Sequence, residues 1–270
     1  MPLHLTLREA PQFAWECAGL RPDLLADGPA LAVGQLPVLV GRETLPLGDL
    51  FNVRGQADDG EVIMEGDLSG CRRLGAGMAS GTLRVRGPVG PFLGVEMKGG
   101  LIDVDGPAGD WAGAEMRGGI LRIQGDAADH LGAALPGSRL GMRGGTVLVH
   151  GNAGSMVGLA MRRGLIAIAG TVGDDLGHSL IAGTIAVFGA FGRRAGAGMK
   201  RGTLWLAGRV DADVPPWFRF ACLQSPLFLE LYRRRLLELG FPVTEAVVGP
   251  HRRYNGDVIT DGIGEVLVPH

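Results

Sequence analysis

Short bursts of alternating apolar and polar residues run through the middle of the chain, and a glycine closes each one. Aliphatic side chains stand two apart at Val62 and Met64, Leu83 and Val85, Ile102 and Val104, and Leu121 and Ile123. The same spacing recurs at Val147 and Val149, Ile166 and Ile168, Ile185 and Val187, and Leu204 and Leu206. Alternation rich in β-branched residues predicts strands with one face buried. The closing glycines Gly87, Gly106 and Gly125 are nineteen residues apart, as are Gly151, Gly170, Gly189 and Gly208. A second glycine column stands six residues earlier, from Gly81 to Gly202. Nine residues before each closing glycine come Met78, Met97, Met116, Met142, Met161, Leu180 and Met199. A fixed period near twenty with no helical pattern inside it is the signature of a solenoid. Glycine corners accept positive φ at little cost. Stacked units roughly 4.8 Å apart would place like residues over like, and no unit could bury its inner face alone. The pattern therefore predicts an all-β fold, a right-handed parallel β-helix of about eight nineteen-residue coils. A left-handed helix of hexapeptides would repeat every eighteen residues or so instead.

Outside the repeat the pattern changes. Residues 1–58 read as an N-terminal cap of short strands and turns, 59–210 as the repeat domain, and 211–270 as a C-terminal helix with an extended tail. Within the last region, 226–239 follow Ser225-Pro226 and stop at Gly240, the start and stop signals of an amphipathic helix. Two irregularities break the period. The step from Gly66 to Gly87 is twenty-one, which predicts a bulged corner at Cys71-Arg72-Arg73-Leu74. Seven extra residues around Ala133 to Leu140 predict a loop on one edge.

Composition narrows the function classes. The 47 glycines are periodic and lie among Val, Ile and Leu, which excludes both a disordered linker and collagen. A formal net charge of −2 gives no electrostatic pull toward nucleic acid. The start, Met1-Pro2-Leu3-His4-Leu5, has neither the basic nor the apolar region of a signal peptide, and no apolar run is long enough to span a membrane. A cytoplasmic location is the expectation. Cys17, Cys71 and Cys222, odd in number and scattered, read as free thiols. No nucleotide-binding or hydrolytic motif is present, and the isolated GxG stretches are corners of the repeat. His130, His150 and His178 fall in different columns, so they predict no stacked metal site.

Two outward columns carry the candidate chemistry. Eight residues before the closing glycines stand Lys98, Arg117, Arg143, Arg162 and Lys200, with Ile181 interrupting the series. Unit charges at strand spacing repel by about 0.9 kcal/mol even in water, so such a row wants anions. Glu96 and Glu115 lie two residues upstream of Lys98 and Arg117, whereas Gly141 and Ala160 hold that place for Arg143 and Arg162. The row is either a solvated basic face or a contact strip for a polyanion or an acidic subunit. A second strip turns apolar in the later coils, through Leu148, Ala167, Ala186, Phe188 and Trp205, and a panel of that kind needs a cover. Either the C-terminal helix or another subunit supplies it. A catalytic groove of the polysaccharide-lyase kind would want aligned aromatic platforms, and Trp111, Trp205 and Trp217 share no column.

The columns combine into G-x-x-G-x-x-x-G-x-x-M-x-x-G-x-[ILV]-x-[VI]-x-G, over roughly residues 45–210. This pattern resembles the C subunit of formylmethanofuran dehydrogenase and the C-terminal domain of the glutamate synthase large subunit. The stretch from Leu47 to Gly55, LGDLFNVRG, resembles the segment that leads into the repeat in the former. The resemblance implies a protein without a catalytic centre, assembled with A, B and D subunits. One version is a molybdenum or tungsten enzyme that reduces carbon dioxide onto methanofuran. The bacterial version, a formyltransferase/hydrolase complex, passes a formyl group from tetrahydromethanopterin to a methanofuran-type carrier and releases formate. There the D subunit performs the transfer and a metal-dependent A subunit the hydrolysis. With only two lysines among 26 basic residues, the chain fits the bacterial version better, the alternatives being the molybdenum or tungsten dehydrogenase subunit and a glutamate synthase β-helix subunit. The family's carriers bear polyglutamate tails, which gives the cation row a ligand. No catalytic residue of the family maps onto this chain, and no cofactor is expected within it.

Overall fold

The computed structural model describes residues 2–25, 30–56, 59–208, 214–243 and 249–270, so the expected domain limits at 58 and 210 lie outside the described residues. The first part contains β1 (Leu3–Leu7), β2 (Trp15–Glu16), α1 (Pro22–Leu25), α2 (Ala30–Gly34), β3 (Pro37–Val40), β4 (Glu43–Pro46), α3 (Leu47–Leu50) and β5 (Phe51–Arg54). The repeats supply β6 (Glu61–Glu65), β7 (Cys71–Arg72), β8 (Thr82–Arg86), β9 (Leu101–Val104), β10 (Ile120–Ile123), β11 (Arg143–Val149), β12 (Arg163–Ile168), β13 (Thr184–Val187) and β14 (Thr203–Leu206). The last part holds β15 (Arg219–Gln224), α4 (Leu227–Glu238), β16 (His251–Gly256) and β17 (Gly264–Pro269).

The alternating bursts become parallel strands in register. Leu83 pairs with Ile102, Ile102 with Leu121, Leu121 with Val147, Ile166 with Ile185, and Ile185 with Leu204. A second, narrower parallel ladder of single bridges joins Leu68, Val89, Ala108, Ala127, Ala153, Val172 and Phe191. Inward positions of both ladders, with the methionine column, share one dry core in which Met78, Met97, Met116, Met142, Met161 and Met199 are fully buried. The glycine columns are needed because successive backbones touch. At Gly87 φ is +140°, and a Cβ there would lie 2.2 Å from the carbonyl oxygen of Gly66.

Both ends turn the parallel stack antiparallel. At one end β1 adds parallel to β6 and then pairs antiparallel with β5. At the other, β17 adds parallel to β14 and is followed by antiparallel β16 and β15. The result is one sheet of 13 strands, with a separate sheet of 4 strands in the order β4-β3-β2-β7. The molecule is all-β with a C-terminal helix, and among the described residues no helix is long and apolar enough to cross a membrane.

Two sequence expectations meet their structural outcome here. The extra residues near Cys71 are absorbed where Cys71 and Arg72 pair parallel with Trp15 and Glu16. That pairing corrects the reading of three free thiols. Cys17 and Cys71 are joined as a disulfide, with Cα atoms 6.1 Å apart and a sequence separation of 54, and Cys222 alone is free and exposed. The β2–β7 pairing brings together two cysteines that look isolated along the chain. The insertion at Ala133 to Leu140 is a looped-out turn: the Met142 amide donates to the Gly132 carbonyl at 2.9 Å, closing the gap so that the ladder resumes.

Candidate functional site

The corner that follows each buried methionine or leucine displays the basic residues. One backbone carbonyl of that column accepts two consecutive amides from the next repeat: Met78 from Lys98 and Gly99, Met142 from Arg162 and Arg163, Met161 from Ile181 and Ala182, and Leu180 from Lys200 and Arg201. In early repeats the second of these residues is a glycine with no room for a side chain; a Cβ at Gly99 would meet the Ala79 oxygen at 2.3 Å. From Arg163 onward that position carries a side chain, so the corner becomes a doubly substituted ridge.

The row does not behave uniformly. Arg117 is paired with Glu96 at 3.1 Å, and Arg143 with Glu115 at 3.1 Å. Each carboxylate serves the cation of the following repeat, not of its own, which corrects the expectation that Arg143 lacks an acid. By the same geometry the positions that would serve Arg162 and Lys200 are Gly141 and Ser179. Lys98, Arg162, Arg163, Lys200 and Arg201 are exposed and make no side-chain hydrogen bond or ion pair among the described residues.

Arg162, Arg163, Lys200 and Arg201 line a groove of about 960 Å³. Its floor is Leu165 with Ile181, Ala182 and Gly183 of the intervening repeat. One wall is α4, through Tyr232 and Arg235; the other is the turn from Thr260 to Ile263. Both walls are fixed. The Thr184 hydroxyl donates to the Tyr232 oxygen at 3.2 Å. Opposite, the Ile263 amide donates to the Lys200 carbonyl at 2.9 Å, and buried Asp257 accepts from the Gly198 amide at 3.0 Å. Of the ionisable groups lining the groove, Asp261 alone is acidic.

The apolar panel is covered by the chain itself. Leu148, Ala167, Ala186 and Trp205 are fully buried against Leu229, Leu236 and Phe241, and Phe188 packs on Trp205 and Phe241 with ring centroids 5.6 and 5.5 Å away. The Trp205 indole N–H donates to Nε2 of His251 at 3.3 Å, and His251 Nδ1 lies 3.0 Å from the Gly249 carbonyl oxygen. These contacts require a neutral imidazole with its proton on Nδ1. Burial pushes the His251 pKa below the ordinary histidine value, although the Gly249 bond opposes the shift. On the helix, hydrogen bonds from Arg233 and Arg234 hold the Glu230 carboxyl down at about 2.

One column escaped the sequence reading. Five residues after the closing glycines stand Phe92, Trp111, His130, Met156, Asp175 and Arg194, all with φ between 58° and 64°. Trp111 stacks on His130 at 4.1 Å and on Phe92 at 6.3 Å, and Arg72 lies over the Phe92 ring. Further along the same column Arg194 is bonded to Asp175. The signal was in the sequence: a search across all aromatic types, instead of tryptophan alone, finds Phe92, Trp111 and His130 at nineteen-residue steps. Among the described residues no three His, Cys, Asp or Glu converge as metal ligands.

No protein-family model matches the chain. A chain in the X-ray crystal structure of the formyltransferase/hydrolase complex (FhcABCD) from Methylorubrum extorquens, in complex with methylofuran, is 36% identical and superposes with a TM-score of 0.91 over 99% of both chains. The C subunit of the tungsten-containing formylmethanofuran dehydrogenase 2 is 37% identical over 94 residues in Methanothermobacter marburgensis and 38% in Methanothermobacter wolfeii. The chain belongs to the family of the formylmethanofuran dehydrogenase C subunit. Its match spans about a third of the length of these curated relatives, 35% in each case. Likeness to the solved chain, by contrast, runs over 99% of both chains, so this member of the C-subunit family shares the architecture of that chain.

Proposed function

We propose that this chain is a non-catalytic structural member of a multisubunit formyltransferase/hydrolase complex. That assembly would move a formyl group from tetrahydromethanopterin to a methanofuran-type carrier and hydrolyse it to formate. A, B and D subunits would be its partners in the cytoplasm, with the hydrolytic metal in the A subunit. The observation that carries the reading is the end-to-end superposition, TM-score 0.91, on a chain of such a complex. We read the repeat region as a right-handed parallel β-helix. Two parallel ladders stepping together from repeat to repeat, around one column of buried methionines interrupted only by Leu180, support that reading. Residues 1–58 and 211–270 then act as its caps. The cation row of Lys98, Arg117, Arg143, Arg162 and Lys200 is proposed to face the polyglutamate tail of the carrier.

A second reading has its own support in the names of the curated relatives: the C subunit of a molybdenum or tungsten formylmethanofuran dehydrogenase. Purifying the tagged chain from its own host and identifying the chains that come with it separates the two. Formyltransferase-type and amidohydrolase-type chains at fixed stoichiometry bear out the first reading, and a tungsten- or molybdenum-containing chain replaces it with the second. Formate release by the isolated chain would overturn the non-catalytic role.

A further inference from the structure

We infer that the groove between α4 and the turn from Thr260 to Ile263 is the anion site of this chain, and that it binds an extended oligocarboxylate of the glutamyl-chain type. The inference deepens the tail reading above: it moves the ligand from the whole row to one end of it, and rests on that reading only for where the glutamyl chain comes from.

Three features of the groove converge. First, its four corner cations come as two adjacent pairs, Arg162 with Arg163 and Lys200 with Arg201, on repeats two apart. They are separated by roughly twice the strand spacing, about 9.6 Å. The repeat between them contributes Ile181 and Ala182 instead of cations, and that break in the row forms the floor. Second, the chain neutralises Arg117 and Arg143 in the middle of the row, but not the cations of the groove. Arg117 and Arg143 each receive a glutamate from the preceding repeat, whereas the equivalent positions below Arg162 and Lys200 are Gly141 and Ser179. A carboxylate brought by a ligand takes the place that Glu96 and Glu115 fill in the earlier repeats. Guanidinium forks suit planar carboxylates through paired N–H donors. Third, the size and character of the hollow suit a guest longer than a small inorganic ion. At about 960 Å³, with an aliphatic floor and the Tyr232 ring on one side, it accommodates methylene segments between charged groups. Two cation pairs across an apolar floor, with Arg235 on one wall and Asp261 as the one carboxylate on the other, give the groove a net positive field.

The test uses the full-length chain and a fluorescein-labelled hexaglutamate, followed by anisotropy at low ionic strength. The wild-type chain is expected to bind saturably and to lose affinity steeply with added salt. Arg163→Ala with Arg201→Ala should weaken binding at least about tenfold; these side chains are exposed, and circular dichroism checks that the fold is intact. Arg86→Ala with Arg54→Ala, which removes the same charge outside the groove, should change affinity less than about twofold. Ala182→Trp keeps every cation and fills the floor, so it should also abolish tight binding. Equal weakening by both double variants, or unchanged binding in Ala182→Trp, would overturn the groove as a site. Competition by inorganic phosphate as effective as by unlabelled hexaglutamate would overturn the ligand class. Competition arms with γ-linked and α-linked hexaglutamate assign the source: preference for the γ-linked form supports a carrier tail, and preference for the α-linked form supports an acidic segment of a neighbouring polypeptide. Failure to recover partner chains from the host would overturn the assembly reading and leave this binding result intact, so the two failures are distinguishable.

Discussion

At His251 a single side chain links a strand of the terminal cap to the panel on the repeats. Its ring accepts from the Trp205 indole and is buried, so it stays neutral in the folded protein. Burial lowers its folded pKa below the unfolded value of about 6.5, so the unfolded chain takes up a proton first as pH falls. Stability should therefore be level above that value and decline from about pH 6.5 downward until the folded ring also protonates. Thermal unfolding across pH 5 to 8 checks this, and His251→Gln should flatten the dependence through the histidine range. Residue-scale detail was unevenly legible. The columns of interior Met, Val and Ile could be read off by counting, because strand alternation and a constant period leave them one direction to point. The acid partner of Arg143 could not, since a long side chain reaches across to Glu115 of the preceding repeat and sequence spacing ranks the wrong neighbour first. The Cys17–Cys71 pair was hidden for a related reason: it depends on β2 lying beside β7, a pairing set by the cap and not by any local pattern.

At the scale of elements, α4 does two tasks with its two sides. Leu229 and Leu236 seal the panel of Leu148, Ala167, Ala186 and Trp205, while Tyr232 and Arg235 form one wall of the groove. Pro226 and Gly240 mark the helix in the sequence, and the structure places it at Leu227–Glu238. Which surface it would cover was not legible, because docking depends on long-range packing of Leu229, Leu236 and Phe241 against the panel. Leu236 is fully buried, so Leu236→Ala should cost about 2–5 kcal/mol by loss of contacts and a residual cavity. Differential scanning calorimetry measures the loss. The same variant, if the helix loosens, should show faster proteolysis within α4 and weaker hexaglutamate binding, since one wall of the groove moves with it. An unchanged melting temperature would mean that the helix contributes little to the panel's cover.

Across the whole molecule, stability must be graded along the stack. Each repeat touches its two neighbours through parallel pairs, and the strands from β8 to β14 are flanked on both sides. The sheet ends at β5 and β15, and five of the six residues of β15 are exposed, including Phe220 and Leu223. Amide hydrogen exchange should accordingly be slowest in β9 to β13 and fastest in β15. Uniform protection across the 13 strands would contradict this grading. The all-β class and the parallel register of the repeats were legible because one period governs more than half of the chain; the antiparallel pairings at its two ends were not, because nothing periodic specifies them. Their antiparallel closure has a further consequence. Both termini of this stack reverse direction, so a second copy cannot continue the parallel register of the repeats, and the number of units is encoded in the gene. Deleting one nineteen-residue unit would shorten the spacer between the two caps by about 4.8 Å and leave the remaining contacts alike in kind. The count of units is thus a molecular gauge, adjustable only in whole steps.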